Sequence, residues 1–183
     1  QNPIEQEGTY NLPEAQLDRF LMYIKIDQPD ADTERKILKL VRTEQRETKE
    51  QDPAWQEFSK TVGKIAVEDI LTARREVLSM HVSESLEEYL VQLIVATRKP
   101  EKYDASLRDK ILFGASPRAT IALDKCAKIN AWLDGRDFVT PEDIHAVIYD
   151  VLRHRIILSF EAQADGLTTD DIIASLLKTV PLP

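Results

Sequence analysis

The chain has 183 residues, 43% of them hydrophobic, and carries a formal net charge of −8 at pH 7. This length and composition predict one globular domain, or one domain and part of another, and exclude a disordered chain. No compact basic patch offsets the acidic charge, which argues against nucleic-acid binding and against binding to anionic membranes. Cys126 is the only cysteine and cannot form an internal disulfide, so we expect a cytoplasmic rather than an oxidising location.

Membrane and targeting segments are not predicted. No apolar run approaches the roughly 20 residues that span a bilayer, and no signal-peptide pattern is present. The first residue is Gln1 and not an initiator methionine. We therefore expect the chain to be a piece of a longer protein.

The N-terminal residues predict a short helix and one strand. Residues 1–11 contain turn signals, and Pro13 suits the first position of a helix over residues 13–20. Residues 21–26 (LMYIKI) alternate and are rich in β-forming side chains, so they predict the only convincing strand. A lone strand cannot pair its own backbone. We therefore expect this segment to be poorly ordered or paired with another molecule.

From Pro29 onward the sequence predicts helices, because apolar residues recur every three or four positions. Residues 45–65 are polar and predict a linker with one short amphipathic turn, whereas residues 99–112 are charged and predict a loop. Four or five one-sided helices joined by short connections predict a compact bundle, so the expected fold class is mainly α. The helices are expected at about residues 30–44, 67–78, 83–98, 116–133, 140–152 and 168–179.

The segment that opens the helix over residues 116–133 breaks a local rule. Ser116 is a good N-cap, and Pro117 occupies the position where a helix tolerates proline best. Arg118 then places a cation in the first turn, where backbone N–H groups are unpaired and the helix dipole is positive. We therefore expect an anion nearby, and phosphate is the usual anion at a helix N-terminus. The alternative is a solvated arginine on a surface helix.

Motifs for several other kinds of site are absent from the sequence. The five glycines stand alone, so no G-x-x-x-x-G-K-[ST] phosphate loop is present. His81, His145 and His154 are dispersed without a zinc-binding pattern, and no metal site is predicted. Acidic pairs at residues 142–143 and 170–171 stand at helix starts, where compensation of the helix dipole explains them.

Five blocks of sequence together resemble the MoxR family of AAA+ ATPases. They occur in the order of that family and extend over nearly the whole chain, although each block alone would be a weak motif. Residues 45–66 depart from the family pattern, since they are longer and more polar than expected. The blocks are residues 1–10 (QNPIEQEGTY), 12–20 (LPEAQLDRF), 114–119 (GASPRA), 135–143 (GRDFVTPED) and 151–156 (VLRHRI).

The resemblance implies a division into two domains. Residues 1–28 would be the C-terminal remnant of the αβα core of an AAA+ ATPase, with its last strand, and residues 29–183 would form the helical lid. The Walker A and Walker B motifs, which hold phosphate and Mg²⁺, would precede Gln1. The full-length protein would therefore hydrolyse ATP with Mg²⁺, whereas this chain alone would be inactive.

Three residues match functional positions of the family. Asn2 corresponds to sensor 1, whose amide orients the attacking water, and its alternative is a structural residue in an Asn-Pro turn. Arg19 corresponds to the arginine finger, which reaches the nucleotide of a neighbouring subunit. Its alternative is a cation that favourably ends a short helix. Arg118 corresponds to sensor 2, which contacts nucleotide from the lid, either in its own subunit or in a neighbouring one.

The resemblance also implies a function and partners. The protein would assemble into a ring, in this family a hexamer, and couple ATP hydrolysis to the remodelling or maturation of client proteins, often ones with von Willebrand A domains. The alternative is a non-catalytic helical module for protein interactions, which keeps these motifs without nucleotide chemistry. A phosphate loop upstream of Gln1 would decide for the ATPase.

Overall fold

The computed structural model describes residues 12–26, 28–46 and 65–183. The prediction of a mainly α fold is confirmed, and no helix in these ranges is long and apolar enough to cross a membrane. The two strands are β1 (Ile111–Phe113) and β2 (Ile157–Leu158). The helices are α1 (Glu14–Leu17), α2 (Ala31–Arg46), α3 (Val67–Leu78), α4 (Glu84–Arg98), α5 (Pro117–Leu133), α6 (Pro141–Leu152), α7 (Phe160–Ala164) and α8 (Thr169–Thr179), with short 3-10 helices at Pro100–Lys102 and Ala105–Leu107.

Capping side chains place the starts of the longer helices where the sequence predicted them. At α6, the Asp143 carboxylate accepts a hydrogen bond from the backbone N–H of Thr140 at 2.8 Å. Because such caps act within three or four residues, they are readable without tertiary contacts. Side chains that accept from a first-turn N–H begin α2, α4, α5 and α8: Asp30, Ser83, Ser116 and Thr168.

The hydrophobic core lies among α4, α5, α6 and α8. Each of these helices contributes Leu or Ile side chains from one face, as the spacing of three or four residues predicts. Burial of one such side chain stabilises a fold by about 1.5–3 kcal/mol, so this set holds the four helices together. The largest fully buried aliphatic side chains are Leu93, Ile94, Leu123, Ile144, Ile148, Val151, Leu152, Ile172, Ile173 and Leu176.

The described residues fall into two compact units, one within Gln1–Lys25 and Arg74–Pro183 and the other within Ile26–Ala73. Apolar side chains of α2 and α3 are exposed, with Leu40 at 53% and Ile70 at 59% exposure. These two amphipathic helices therefore keep much of their apolar faces exposed, and the four helices that enclose the core agree with the four or five predicted for the bundle. The predicted boundary at residue 28, between a core remnant and a lid, stays a prediction.

The prediction of a strand at residues 21–26 is wrong. Residues 22–26 have no regular secondary structure, and the backbone N–H of Tyr23 donates to the carbonyl of Asp150 at 2.7 Å. The Arg153 side chain donates to the carbonyl of Tyr23 at 3.0 Å, and the Arg155 side chain donates to that of Leu21 at 3.2 Å. Polar groups at the end of α6 thus replace the neighbouring strands that a sheet would supply. The backbone groups of Leu21 and Tyr23 are thus hydrogen-bonded within the chain, and the expected pairing of this segment with another molecule stays a prediction.

A small antiparallel sheet forms instead where no strand was predicted. β1 pairs with β2, with Ile111 opposite Leu158 and Phe113 opposite Ile157. The prediction of a loop over residues 99–112 is wrong at both ends, since two short 3-10 helices and the start of β1 lie there. These strands have two or three residues each, which is too short for the alternating pattern that marks a strand in a sequence.

Candidate functional site

The start of α5 is held against the end of α4 by contacts that explain Gly114. A Cβ atom at this position would clash with the carbonyl of Thr97, so only glycine fits without a shift of the backbone. The hydroxyl of Thr97 accepts from the backbone N–H of Ala115 at 2.9 Å. Arg98 Nε donates to the carbonyl of Ala115 at 2.6 Å. Gly114 and Ala115, which lead into the first turn of α5, are therefore held against the end of α4 by close packing and by hydrogen bonds from Arg98 and to Thr97.

The anion beside the first turn of α5 is a carboxylate of the chain itself. Ser116 Oγ donates to Asp18 Oδ2 at 2.8 Å, and Arg118 Nε lies 3.9 Å from the same oxygen. Ser116 also accepts the N–H of Arg118 through its hydroxyl and that of Ala119 through its carbonyl. Asp18 thus meets the local need for an anion that the sequence attributed to phosphate. The Arg118 side chain is 57% exposed, so its guanidinium is the group that would contact a nucleotide.

Arg155 anchors the segment around Asp18 to the end of α6. Its side chain is 3% exposed, and its Nε donates to Asp18 Oδ1 at 3.0 Å. Nη2 donates to the carbonyls of Asp18 and Phe20, and Nη1 donates to those of Leu21 and Val151. All five N–H donors of a guanidinium are thereby satisfied. Arginine is the only side chain whose planar fork supplies so many donors, so lysine would not replace it here.

The two residues before Arg155 hold the same segment. Arg153 lies between Asp150, at 2.9 Å, and Asp170, at 2.8 Å, while it donates to the carbonyl of Tyr23. His154 Nε2 lies 3.1 Å from the carbonyl of Phe20 and must donate, since that oxygen only accepts. Burial lowers the pKa of His154, and the charge of Arg155 lowers it further. A neutral ring with its proton on Nε2 leaves Nδ1 unprotonated, in agreement with the lack of a described hydrogen-bond partner at Nδ1.

Arg19 lies in a turn two residues beyond the end of α1 and is exposed. Its backbone N–H donates to the carbonyl of Gln16 at 3.1 Å, which closes this turn. The predicted helix over residues 13–20 is thus shorter than expected, and Arg19 follows it instead of ending it. The side chain borders a cleft of about 470 Å³ that Leu12, Gln16 and Phe20 also line. The guanidinium is therefore accessible on the surface of this unit, next in sequence to Asp18.

The predicted site residues are brought together only in part. The Asp18 carboxylate lies 3.9 Å from Arg118, whereas Arg19 is linked to Asp18 only as the next residue in sequence. Asn2 lies outside the described residues. Sequence reasoning missed Asp18 and Arg155, although both lie in blocks that resemble the MoxR family. The available signal was the position of the polar residues DR (18–19) and RHR (153–155) next to apolar runs.

The block at residues 135–143 has a structural explanation. Arg136 donates from both Nη atoms to the Asp143 carboxylate, which is 1% exposed and also accepts from Asn130 at 2.8 Å. Burial alone would raise the pKa of Asp143, but the hydrogen bonds from Arg136, the Thr140 backbone and Asn130 bring it well below its ordinary value. This pair joins the end of α5 to the start of α6. It lies in a different sequence block from Asp18 and from the residues that contact Asp18, namely Ser116, Arg118 and Arg155.

Comparisons with known proteins agree with the resemblance. The sequence model of the AAA lid domain matches residues 105–176. That of the ATPase family associated with various cellular activities (AAA) matches residues 1–22. Over its whole length the chain is 37% identical to "Chaperone MoxR1" of Mycobacterium tuberculosis and covers 45% of that protein. It is 34% identical to "Protein MoxR" of Methylorubrum extorquens and covers 53% of that protein.

A solved structure shows the same fold. All of this chain superimposes on 52% of a Cytophaga hutchinsonii protein classed as an ATPase, with a TM-score of 0.85 and 42% sequence identity. The chain thus spans about half the length of the relatives that it matches. The helical bundle, the matched lid and the five sequence blocks lead to one conclusion: over its whole length the chain is similar to members of the MoxR family of AAA+ ATPases and corresponds to their C-terminal part.

Proposed function

We propose that this chain supplies the arginine finger and the sensor 2 arginine of an ATP-hydrolysing ring, by family a hexamer. Arg19 would reach the γ-phosphate of ATP bound to the neighbouring subunit, and Arg118 would contact nucleotide from the lid. Asn2, as sensor 1, would orient the attacking water. The observation that carries this proposal is the Asp18 carboxylate, which lies beside Arg118 and directly before Arg19.

The exposed guanidinium groups suit a phosphate ligand. Arg118 is 57% exposed at the start of a 17-residue helix, so the helix dipole adds to its attraction for an anion. Arg19 is exposed as well and lies on the surface of its unit, as a residue that acts on a neighbouring subunit must. The 183 residues contain no phosphate loop, so ATP and Mg²⁺ would bind mainly through another part of the full-length protein. The isolated chain should therefore show no ATP hydrolysis.

The cellular role that we propose is the remodelling or maturation of client proteins. The support is the relative from Mycobacterium tuberculosis, which is named a chaperone. Clients with von Willebrand A domains are proposed by family resemblance. In this scheme, changes at Arg118 and Arg19 during the ATP cycle would move the lid against neighbouring subunits, and the ring would transmit that motion to the client.

Mixed rings of the full-length protein test the assignment of Arg19. An arginine finger accelerates hydrolysis by about 10³–10⁵, which is about 4–7 kcal/mol of barrier. Arg19→Ala should therefore abolish most turnover while nucleotide affinity and thermal stability stay near those of the wild type. Arg118→Ala should weaken nucleotide binding as well.

The mixture itself separates action in trans from action in cis. Subunits with Arg19 intact but an inactivated phosphate loop are combined with Arg19→Ala subunits whose phosphate loop is intact. Turnover should return in part in these rings, because an intact nucleotide site that lies next to a subunit with Arg19 receives its finger. Mixed rings that form but do not recover turnover would show that Arg19 only ends a turn. A ring without any ATP hydrolysis would favour the non-catalytic interaction module.

A further inference from the structure

We propose that Asp18 is a positioning residue that transmits the state of Arg118 to Arg19 in the same subunit. This inference rests on the proposed function of the two arginines. The carboxylate is 23% exposed, and its two oxygens have different partners. Oδ1 accepts from Arg155, whereas Oδ2 accepts from Ser116 and lies 3.9 Å from Arg118.

The two carboxylate oxygens of Asp18 have different roles: Oδ1 anchors the residue to α6, and Oδ2 responds to the state of Arg118. Arg155 is 3% exposed and holds the backbone of residues 18, 20 and 21, so the Oδ1 side is fixed to the end of α6. The Oδ2 side faces the first turn of α5, where Arg118 is more than half exposed and retains donors for a phosphate. A phosphate bound to Arg118 would compete with Oδ2 for the same guanidinium. The balance between these two anions would set how tightly Asp18 is held.

The consequence reaches Arg19 through the chain itself. Arg19 directly follows Asp18, and its backbone N–H donates to the carbonyl of Gln16 in a short turn. Phe20 and Leu21 on the other side are fixed through their carbonyls by Arg155 and His154. Arg155 also holds the Asp18 carbonyl, but at 3.3 Å this is the longest of its five bonds. A shift of the Asp18 carboxylate would therefore rotate the peptide that leads into Arg19, while residues 20–21 act as the fixed end. Nucleotide contact in one subunit would thus adjust the finger that serves the next.

Asp18→Asn is the selective variant for this proposal. The amide oxygen can keep the hydrogen bond from Arg155, which orients the group, and the amide nitrogen then takes the place of Oδ2. Ser116 can still pair with it, because a hydroxyl both donates and accepts. Arg118 cannot, since a guanidinium and an amide N–H₂ are both donors. The variant thus removes the Arg118 contact and retains the anchor.

The experiment measures turnover in mixed rings of the full-length protein. Asp18→Asn, Arg118→Ala and the double variant are placed only in subunits that bind ATP but cannot hydrolyse it, and these are mixed with Arg19→Ala subunits whose phosphate loop is intact, so that ATP hydrolysis depends on Arg19 of the variant-bearing subunits. Each single variant should lower turnover about two- to fivefold, the range of a partly exposed ion pair. The double variant should lower it no further, since both changes break the same connection. Asp165→Asn, an exposed carboxylate outside the cluster, is the matched control.

Two results would overturn the proposal. Multiplicative losses in the double variant would show that Arg118 acts on the neighbour directly and not through Asp18. Unchanged turnover with Asp18→Asn would show that the carboxylate only caps the turn. Arg19→Ala in the same subunits separates this inference from the proposed function, because persistence of turnover there would refute the finger itself. Thermal unfolding of each variant shows whether any loss reflects folding.

Discussion

Replacement of Arg155 by methionine tests whether this side chain holds the N-terminal segment on the bundle. The substitution keeps an unbranched stem of similar length but removes the charge and all five donors. Asp18 then loses its buried partner, and the carbonyls of Phe20 and Leu21 lose the donor that they share. We expect the bundle to stay folded, because its aliphatic core lies among α4, α5, α6 and α8.

The expected loss of unfolding free energy in Arg155→Met follows from the burial of Arg155 and Asp18. Loss of one partner of a buried ion pair costs about 3–5 kcal/mol. Arg155 itself is 3% exposed, but Asp18 is 23% exposed and keeps the Ser116 hydroxyl, so the lower end applies, about 3 kcal/mol. For a domain of this size, 1 kcal/mol changes the melting temperature by about 2–4 °C, which gives a decrease of about 6–12 °C.

Thermal and urea unfolding followed by circular dichroism measure this loss, with Arg118→Met as the matched control. Arg118 is 57% exposed and 3.9 Å from Asp18, so its replacement should cost less than about 1 kcal/mol. Hydrogen exchange provides a local readout. The amide of Tyr23, bonded to Asp150, should exchange faster in Arg155→Met. A loss below about 1 kcal/mol for Arg155→Met would refute the assigned role of this hydrogen-bond cluster.

Two further predictions concern the remaining blocks. Gly114→Ala should destabilise the chain by about 1–3 kcal/mol in urea unfolding, because the new methyl group overlaps the carbonyl of Thr97; full stability would show that the α4–α5 contact relaxes freely. Arg136→Met should raise the pKa of Asp143, which the guanidinium lowers from its ordinary 3.8. A carboxylate whose pKa is lower in the folded than in the unfolded state stabilises the fold at pH values above the unfolded-state pKa. This stabilisation is lost as the pH falls through the folded-state pKa. The stability gap between wild type and Arg136→Met should thus be largest at pH 7 and shrink below about pH 4; a gap independent of pH would contradict it.

The sequence predicts a residue of the site only where a local pattern or a family block marks that residue. Arg118 was found twice, from its rule-breaking position in a first turn and from the family block. Asp18 was not found, because an acidic residue beside a short helix is unremarkable until Arg155, 137 residues away, is placed against it. No sequence motif marks His154, and its contact with Phe20 likewise depends on the fold.

The sequence by itself determined the helices of the bundle and their starting points. Ser83, Ser116 and Thr168 cap helices within three residues, so each start depends on local hydrogen bonds alone. Only the tertiary structure decided the conformation of residues 21–26. Their alternation of β-forming side chains favours a strand, but a strand needs partners for its backbone groups, and here the end of α6 supplies them through Arg153 and Arg155. These hydrogen bonds join residues that are 130 and 134 positions apart. They depend on the fold, and no local sequence pattern predicts them.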